Sequence, residues 1–344
     1  MHKHRINLIS DTVTLPTKNM LEFMVQAKLG DDVFKEDPTV SELENRLANM
    51  FNQEAGLFCP SGTMANQIAI KGHTNPLDEL ICDINSHVFQ YEVSGYAFHS
   101  GISINPLVGD FGKLSGALIE KAIKPDQDWL PNTKLVVIEN TGNRSGGNYY
   151  SLNEIQEVSA ICRKRNLKLH LDGARIFNAI LAANYSPSDI GNFFDSISIC
   201  LSKGLGAPVG SVLIGSREWI QKCRKIRKVM GGGMRQAGIL AAAGLYALDH
   251  HLGRLQTDHD HAAQLEQCLS KLTYVDRIRK VYTNIVIFDL TNEITPENFL
   301  KQLMVFGINA SAFGNQSIRF VTHLDFTKEM LFEVEDVLKN KIVY

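Results

Sequence analysis

Apolar positions fall into two periods along the chain. Between about residues 55 and 250, short β-branched runs alternate with stretches of helical spacing. The runs Leu57–Cys59, Glu79–Ile84, Lys134–Glu139, Leu167–Leu171 and Ser196–Leu201 predict buried strands, and Pro208–Ile214 resumes as another. Between them, Leu43, Leu47 and Met50 share one helical face in a helix starting at Pro38-Thr39. Leu152, Ile155, Val158, Ile161 and Cys162 share another, behind a Ser151 cap. Ser216–Val229 predicts a basic helix with a mostly solvated face, and an alanine-rich helix is expected from Arg235 to about Leu255. This alternation implies an α/β fold with a mostly parallel sheet covered by helices. After residue 250 the rhythm changes. Helices at His259–Leu272, Pro296–Phe306 and Thr327–Lys341, with strands at Asn284–Leu290 and Ser317–Val321, predict a smaller α+β unit. The expected division is residues 1–15 as a docking segment, 16–250 as a large domain and 251–344 as a small one.

Composition narrows the classes. A net charge of −2 gives no electrostatic case for nucleic acid or a membrane surface. No apolar run reaches the length of a membrane span. Six cysteines without a CxxC pair suit reduced thiols in a cytosolic protein better than disulfides or zinc, and no metal site is expected.

The polar residues at strand ends carry the chemistry. In open α/β sheets, ligands bind beyond the carboxyl ends of the strands. Lys203 follows the Ser196–Leu201 strand and precedes the Gly204–Gly206 turn. It is either a strand-end lysine reaching water or a desolvated amine able to form a Schiff base. Ser61-Gly62-Thr63 is either an ordinary helix cap or an anion-binding turn. Asp172 is a helix cap or the partner of a cationic ring nitrogen, and Arg175 a surface residue or a carboxylate clamp. His87 follows another strand. Gly231-Gly232-Gly233 before Arg235 implies a close backbone approach or unusual dihedrals. Arg319, inside a strand, is costly without an anion partner. Together these residues match what pyridoxal phosphate and an amino acid require.

The motifs SDTVTLPT, GDDVFKEDPTV, PSGTMANQ, LHLDGARIFNA, SICLSKGLGAPVGS, GGGMRQAGILAAAG and IRFVTHLD, spread over nearly the whole chain, resemble those of the low-specificity L-threonine aldolases. The resemblance implies an aspartate-aminotransferase-like fold with a seven-stranded sheet, pyridoxal 5'-phosphate as cofactor, and retro-aldol cleavage of β-hydroxy-α-amino acids to glycine and an aldehyde. It gives Lys203 the Schiff base, Asp172 the pyridine nitrogen, His87 the ring stack, and Gly62 and Thr63 the phosphate. Arg235 reaches the phosphate of a neighbouring subunit. Ser10, Arg175 and Arg319 bind the substrate carboxylate. A dimer of dimers is implied. Other carbanion reactions (transaldolation, β-elimination, racemisation) and a non-catalytic binding protein of the same fold are the alternatives. Two departures stand out: Gly142 replaces the histidine of the family's ENTHN loop, and Phe34-Lys35 stands where Tyr-Gly is common. The first leaves water or His87 as base for the β-hydroxyl proton.

Overall fold

Alternate residues of the buried runs belong to different apolar clusters, which is what a sheet covered on both faces requires. Val136 and Ile138 pack into one cluster with Ile197 and Ile199, whereas Leu135 and Val137 pack into another with Ile70 and Leu80. A computed structural model describes residues 6–343, so the first five residues of the predicted docking segment lie outside the described part.

Among the described residues thirteen strands occur in chain order: β1 (Ile6–Asn7), β2 (Ala55–Cys59), β3 (Asp78–Asp83), β4 (Ser103–Leu107), β5 (Asn132–Glu139), β6 (Lys168–Gly173), β7 (Ser196–Cys200), β8 (Ser211–Gly215), β9 (Val275–Ile278), β10 (Ile285–Leu290), β11 (Ile308–Asn309), β12 (Ser311–Ala312) and β13 (Ser317–Val321). Seven form the central sheet, in the order β2-β8-β7-β6-β5-β3-β4. Only β8 runs antiparallel to its neighbours β2 and β7. The expected mostly parallel seven-stranded α/β sheet is therefore present. A second sheet, β12-β13-β10-β9, is antiparallel.

The N-terminal segment joins that second sheet's side of the molecule. β1 pairs in parallel with β11, and Val321 N–H donates to the Leu8 carbonyl at 2.9 Å. Ile6 and Leu8 are buried in the same apolar cluster as Phe288, Phe320 and Leu331.

Three expectations need correction. The alanine-rich helix ends at His250, and after a turn through 251–254 a new helix runs Leu255–Leu269. The break between the two helices thus falls about four residues earlier than expected, at His251-Leu252-Gly253-Arg254. The basic helix, Arg217–Val229, is not simply solvated: Arg227 is buried against Asp32 at 2.6 Å, and Arg224 pairs with Glu44. The strands β4 and β9 and the helices Lys18–Met24, Gly95–Ser100 and Gly116–Ala122 were not anticipated. β4 carries Asn105 and Pro106 at its centre and lies at the sheet edge, where a proline costs no ladder bond.

Close approach is strictest at Gly191, at the end of the short helix Pro187–Gly191. A Cβ there would lie 1.6 Å from the Phe51 carbonyl oxygen, which belongs to rigid backbone, whereas one at Gly253 would meet nothing within 4 Å. Gly191→Ala should therefore cost about 3 kcal/mol or more in urea-unfolding measurements, and Gly253→Ala should stay within about 0.5 kcal/mol of the parent. Equal stability of the two variants would contradict this packing.

Candidate active site

The strand order sets the sequence-predicted residues side by side. Reading along the carboxyl edge from β2, the segments met are Ser61-Gly62-Thr63, then Lys203 after β7, Asp172 to Arg175 at the end of β6, Asn140 to Asn143 after β5, and His87 after β3. A cavity of about 540 Å³ opens there, a size suited to a small-molecule site. Its walls include Ser10, His87, Arg175, Lys203 and Arg319, drawn from stretches far apart in sequence.

Lys203 is half-buried on the loop between β7 and β8. The loop is pinned at both ends. Leu201 N–H donates to Gly210 O at 3.0 Å, and Gly206 N–H to Lys203 O at 2.8 Å. The turn needs Gly206 and Gly210, whose φ values are +76° and +114°.

Asp172 is nearly inaccessible and lies behind the cavity wall. Asn66 Nδ2 donates to it at 2.8 Å, and Ala174 N–H at 3.1 Å. Asn66 also donates to Glu92 at 2.9 Å and accepts from Ser198 Oγ at 2.7 Å. The His87 Nδ1 atom sits 2.9 Å from Glu92 Oε1, and His87 N–H donates to Glu139 at 2.8 Å. Oxygen and nitrogen atoms of His87, Glu92 and Asp172 gather within 4.8 Å of one another, a grouping that a cationic ring or a metal ion would satisfy. Burial pulls the His87 pKa down, but the Glu92 bond and the charges of Asp172, Glu92 and Glu139 outweigh it, and the net shift is upward. Burial, with the Asp172 charge beside it, raises the Glu139 carboxyl despite its two backbone hydrogen bonds.

Gly62 begins the helix Gly62–His73, capped by Ser61, whose hydroxyl accepts from Met64 N–H at 3.2 Å. The first N–H groups of such a helix lack intrahelical partners. A Cβ on Gly62 would meet only Cys200 Sγ, at 3.9 Å, and Cys200 Sγ lies 3.5 Å from Ser202 Oγ beside Lys203. The turn thus adjoins the Lys203 loop, although Gly62 and Thr63 are not in the wall of the cavity itself.

The arginines differ from expectation. Arg175 is buried and already engaged side-on: Nε and Nη2 each lie 2.7 Å from a different oxygen of Asp11. Burial alone would raise the Asp11 pKa, yet the Arg175 charge and hydrogen bonds, with Lys203 and Asn284 nearby, bring it down to about 2. The two bonds to Asp11 leave Nη1 and the second N–H of Nη2 for a ligand. Arg319 donates to Asn143 Oδ1 at 3.1 Å and to Ile9 O at 3.0 Å, while its buried Nε has no partner. Burial and the neighbouring Arg175 lower its pKa. Ser10 Oγ accepts from Thr12 N–H at 3.2 Å in the short helical turn that carries Asp11. Arg235 is not brought to this cavity. It is largely exposed, pairing with Asp31 at 2.8 Å.

Sequence reasoning missed Asn66, Glu92, Glu139, Asp11, Tyr91 and Arg144. Asn66 had a signal, as a polar residue on the buried side of a helix. Asp11 stood in the SDTVT motif without an assigned role. Glu92 and Glu139 had none, since each matters only through what folds against it. A Cβ on Gly142 would lie 2.1 Å from Ser145 Oγ, so a larger residue there requires the Ser145 side chain to turn aside.

Asp11→Asn should leave Arg175 buried without its counter-charge and cost about 3–5 kcal/mol in denaturant unfolding at pH 7. Because the folded-state pKa of Asp11 is depressed, its contribution is complete above pH 4 and is lost as pH falls toward 2. The variant should lack that part of the acid dependence; an unchanged acid limb would refute the assignment. Separately, Glu92→Gln should lower the His87 pKa, followed by NMR titration of the imidazole. An unmoved His87 would mean that Glu92 is not its controlling partner.

The beta-eliminating lyase family model matches residues 7–293. The low specificity L-threonine aldolase of Escherichia coli K12 is 42% identical over 332 residues, covering 96% of this chain and 97% of that protein. Low-specificity L-threonine aldolase 1 of Arabidopsis thaliana is 39% identical over 329 residues, covering 94% and 92%. Among solved structures, Leishmania major threonine aldolase superposes with a TM-score of 0.83 at 20% identity, covering 97% of this chain and 98% of that one, a likeness of fold.

Proposed function

The chain belongs to the beta-eliminating lyase family and, within it, to the low-specificity threonine aldolases, and from that premise we propose that it is a pyridoxal-phosphate-dependent aldehyde-lyase. Its substrates on this reading are L-threonine, L-allo-threonine and related β-hydroxy-α-amino acids, cleaved to glycine and an aldehyde. The observation that carries the reading is the convergence of Lys203, His87 and Arg319 on one cavity, with Asp172 immediately behind His87.

The residues fit the cofactor. Free N–H groups and an open Gly62 offer a phosphate cradle next to the Lys203 loop. Asp172 offers a buried carboxylate for a ring nitrogen, and Lys203 an amine for an aldehyde. When bound, pyridoxal phosphate supplies the sink for the electron pair released at Cα.

The protein's own part is orientation and proton handling. Arg319, with an unpartnered Nε, and Nη1 of Arg175 hold the α-carboxylate. Fixing that group fixes the orientation of the bonds at Cα, and so which of them would break with the cofactor bound. Ser10 borders the same wall. Glu92 fixes the His87 ring through Nδ1 and leaves Nε2 for the cavity. His87, directly or through a water, then takes the β-hydroxyl proton, a task Gly142 cannot perform.

The same reading makes the protein an oligomer built from dimers. Arg235 supports it, since its side chain is exposed and forms no part of its own cavity wall. The six free cysteines are all buried, which suits a reducing, cytoplasmic setting. None of the described helices is long and apolar enough to cross a membrane.

Lys203→Ala should lower the rate of glycine and acetaldehyde formation from L-threonine by roughly 10³-fold or more. It should also abolish the visible absorbance of protein-bound cofactor. A fully active, coloured variant would overturn the assignment. Amino-acid analysis of the wild-type products separates retro-aldol cleavage from racemisation and elimination.

A further inference from the structure

The cavity wall is strongly unbalanced in charge. It contains His87, Lys203 and three arginines, Arg144, Arg175 and Arg319, and not one carboxylate. Most of these cations have an assigned counterpart. Arg175 is matched by Asp11 and His87 by Glu92. On the proposed function, Lys203 is consumed by the cofactor aldehyde and Arg319 by the α-carboxylate. Arg144 is left over.

Arg144 is not a surface arginine that happens to pass by. Its guanidinium donates to the Tyr91 hydroxyl. It also lies 5.0 Å from the Phe313 ring centroid and 6.0 Å from that of Tyr91. Arg319 approaches the same Phe313 ring at 5.1 Å. The two guanidiniums therefore share one aromatic support, which holds two like charges at one stretch of the wall. Among the described residues, Arg144 has no acidic partner within 4 Å. Two like charges held together at a cavity wall are costly unless an anion comes between or beside them. On the proposed function the α-carboxylate is already taken by Arg319 and Arg175, which leaves Arg144 without an anion of its own.

Resting on the proposed function, we infer that the side-chain end of this cavity is built for a second anionic group, and that Arg144 selects β-hydroxy amino acids carrying a carboxylate on Cβ. The simplest such substrate is 3-hydroxyaspartate. Its cleavage balances without any further reactant. The Cα–Cβ bond breaks with its electron pair left on Cα, the β-hydroxyl loses its proton to the base, and the C–O bond becomes the carbonyl of glyoxylate. Cα then takes up one proton to give glycine. Arg144 binds the carboxylate that leaves as part of glyoxylate, with a planar fork suited to that group. A methyl group, as in threonine, fits the same space but leaves Arg144 without its anion.

The test uses the full chain saturated with pyridoxal phosphate. First, kcat/KM is measured for both 3-hydroxyaspartate diastereomers and for threonine, allo-threonine and phenylserine. The expected result is a value for one hydroxyaspartate diastereomer at least tenfold above that for threonine. In Arg144→Met the ratio of the two should fall at least tenfold, with Arg144→Lys recovering part of it. Second, calorimetry compares L-aspartate with L-alanine, neither of which has a hydroxyl to lose. Aspartate should bind the wild-type protein at least tenfold more tightly, and no more tightly than alanine in Arg144→Met. Cleavage of threonine but not of hydroxyaspartate, with equal binding of aspartate and alanine, would overturn this inference and leave the proposed function intact. Failure to cleave any of the five compounds would overturn both.

Discussion

Two nitrogens of one buried guanidinium and two oxygens of one buried carboxylate hold the ligand edge together. Arg175 comes from the end of a central strand and Asp11 from the N-terminal segment, 164 residues away. Asn284, just before β10 of the second sheet, donates to the same carboxylate at 3.3 Å. Three regions that share little else therefore meet at one charge. A buried ion pair adds little net stability over an apolar contact of the same shape. What it does here is fix direction, because the side-on geometry allows Arg175 one orientation at the cavity wall.

Beneath that edge lies a second polar layer. Ser196 and Ser198 alternate with Ile197 and Ile199 on β7, so the isoleucines face one apolar cluster while the serines face the helix Gly62–His73. Ser196 bonds His73 and His170, each at 2.8 Å, and Ser198 bonds Asn66. Desolvation holds His170 at a pKa of about 4 and His73 well below its usual value, so both remain neutral at physiological pH. Asn66 is the hinge between this neutral layer and the charged one, since it also reaches Asp172 and Glu92. A buried network of this sort keeps its members in place only when its groups are satisfied.

Much of the architecture was legible in the chain because its signals are local. Strand periodicity, caps and the glycine turn after Lys203 are each written within a few residues. The strand ends bearing Gly62, His87, Asp172 and Lys203 could be named for the same reason, since the ligand edge of a parallel sheet follows from strand direction. What stayed hidden is the pairing between distant segments. Nothing near Arg175 announces that Asp11 will occupy it, and nothing near His87 marks Glu139, 52 residues on. The break at residues 251–254 was legible as a change of rhythm but misplaced by a few residues, because helix ends carry weaker signals than helix faces. Lys35 is a smaller case. It adopts φ +62° at the place where a glycine is common in the family, a departure of sequence that the backbone has not followed.

The route of the first described residues carries a practical consequence. Chain termini are ordinarily the safest places to append a tag or to shorten a protein, because they make few contacts. Here β1 is stitched to β11, Ile9 lends its carbonyl to Arg319, and Asp11 is wholly enclosed. Losing the stretch from Ile6 to Asp11 would take from Arg319 the Ile9 carbonyl and from Arg175 the Asp11 carboxylate. The segment from Ile6 to Asp11 is thus part of the binding wall's support rather than a free end.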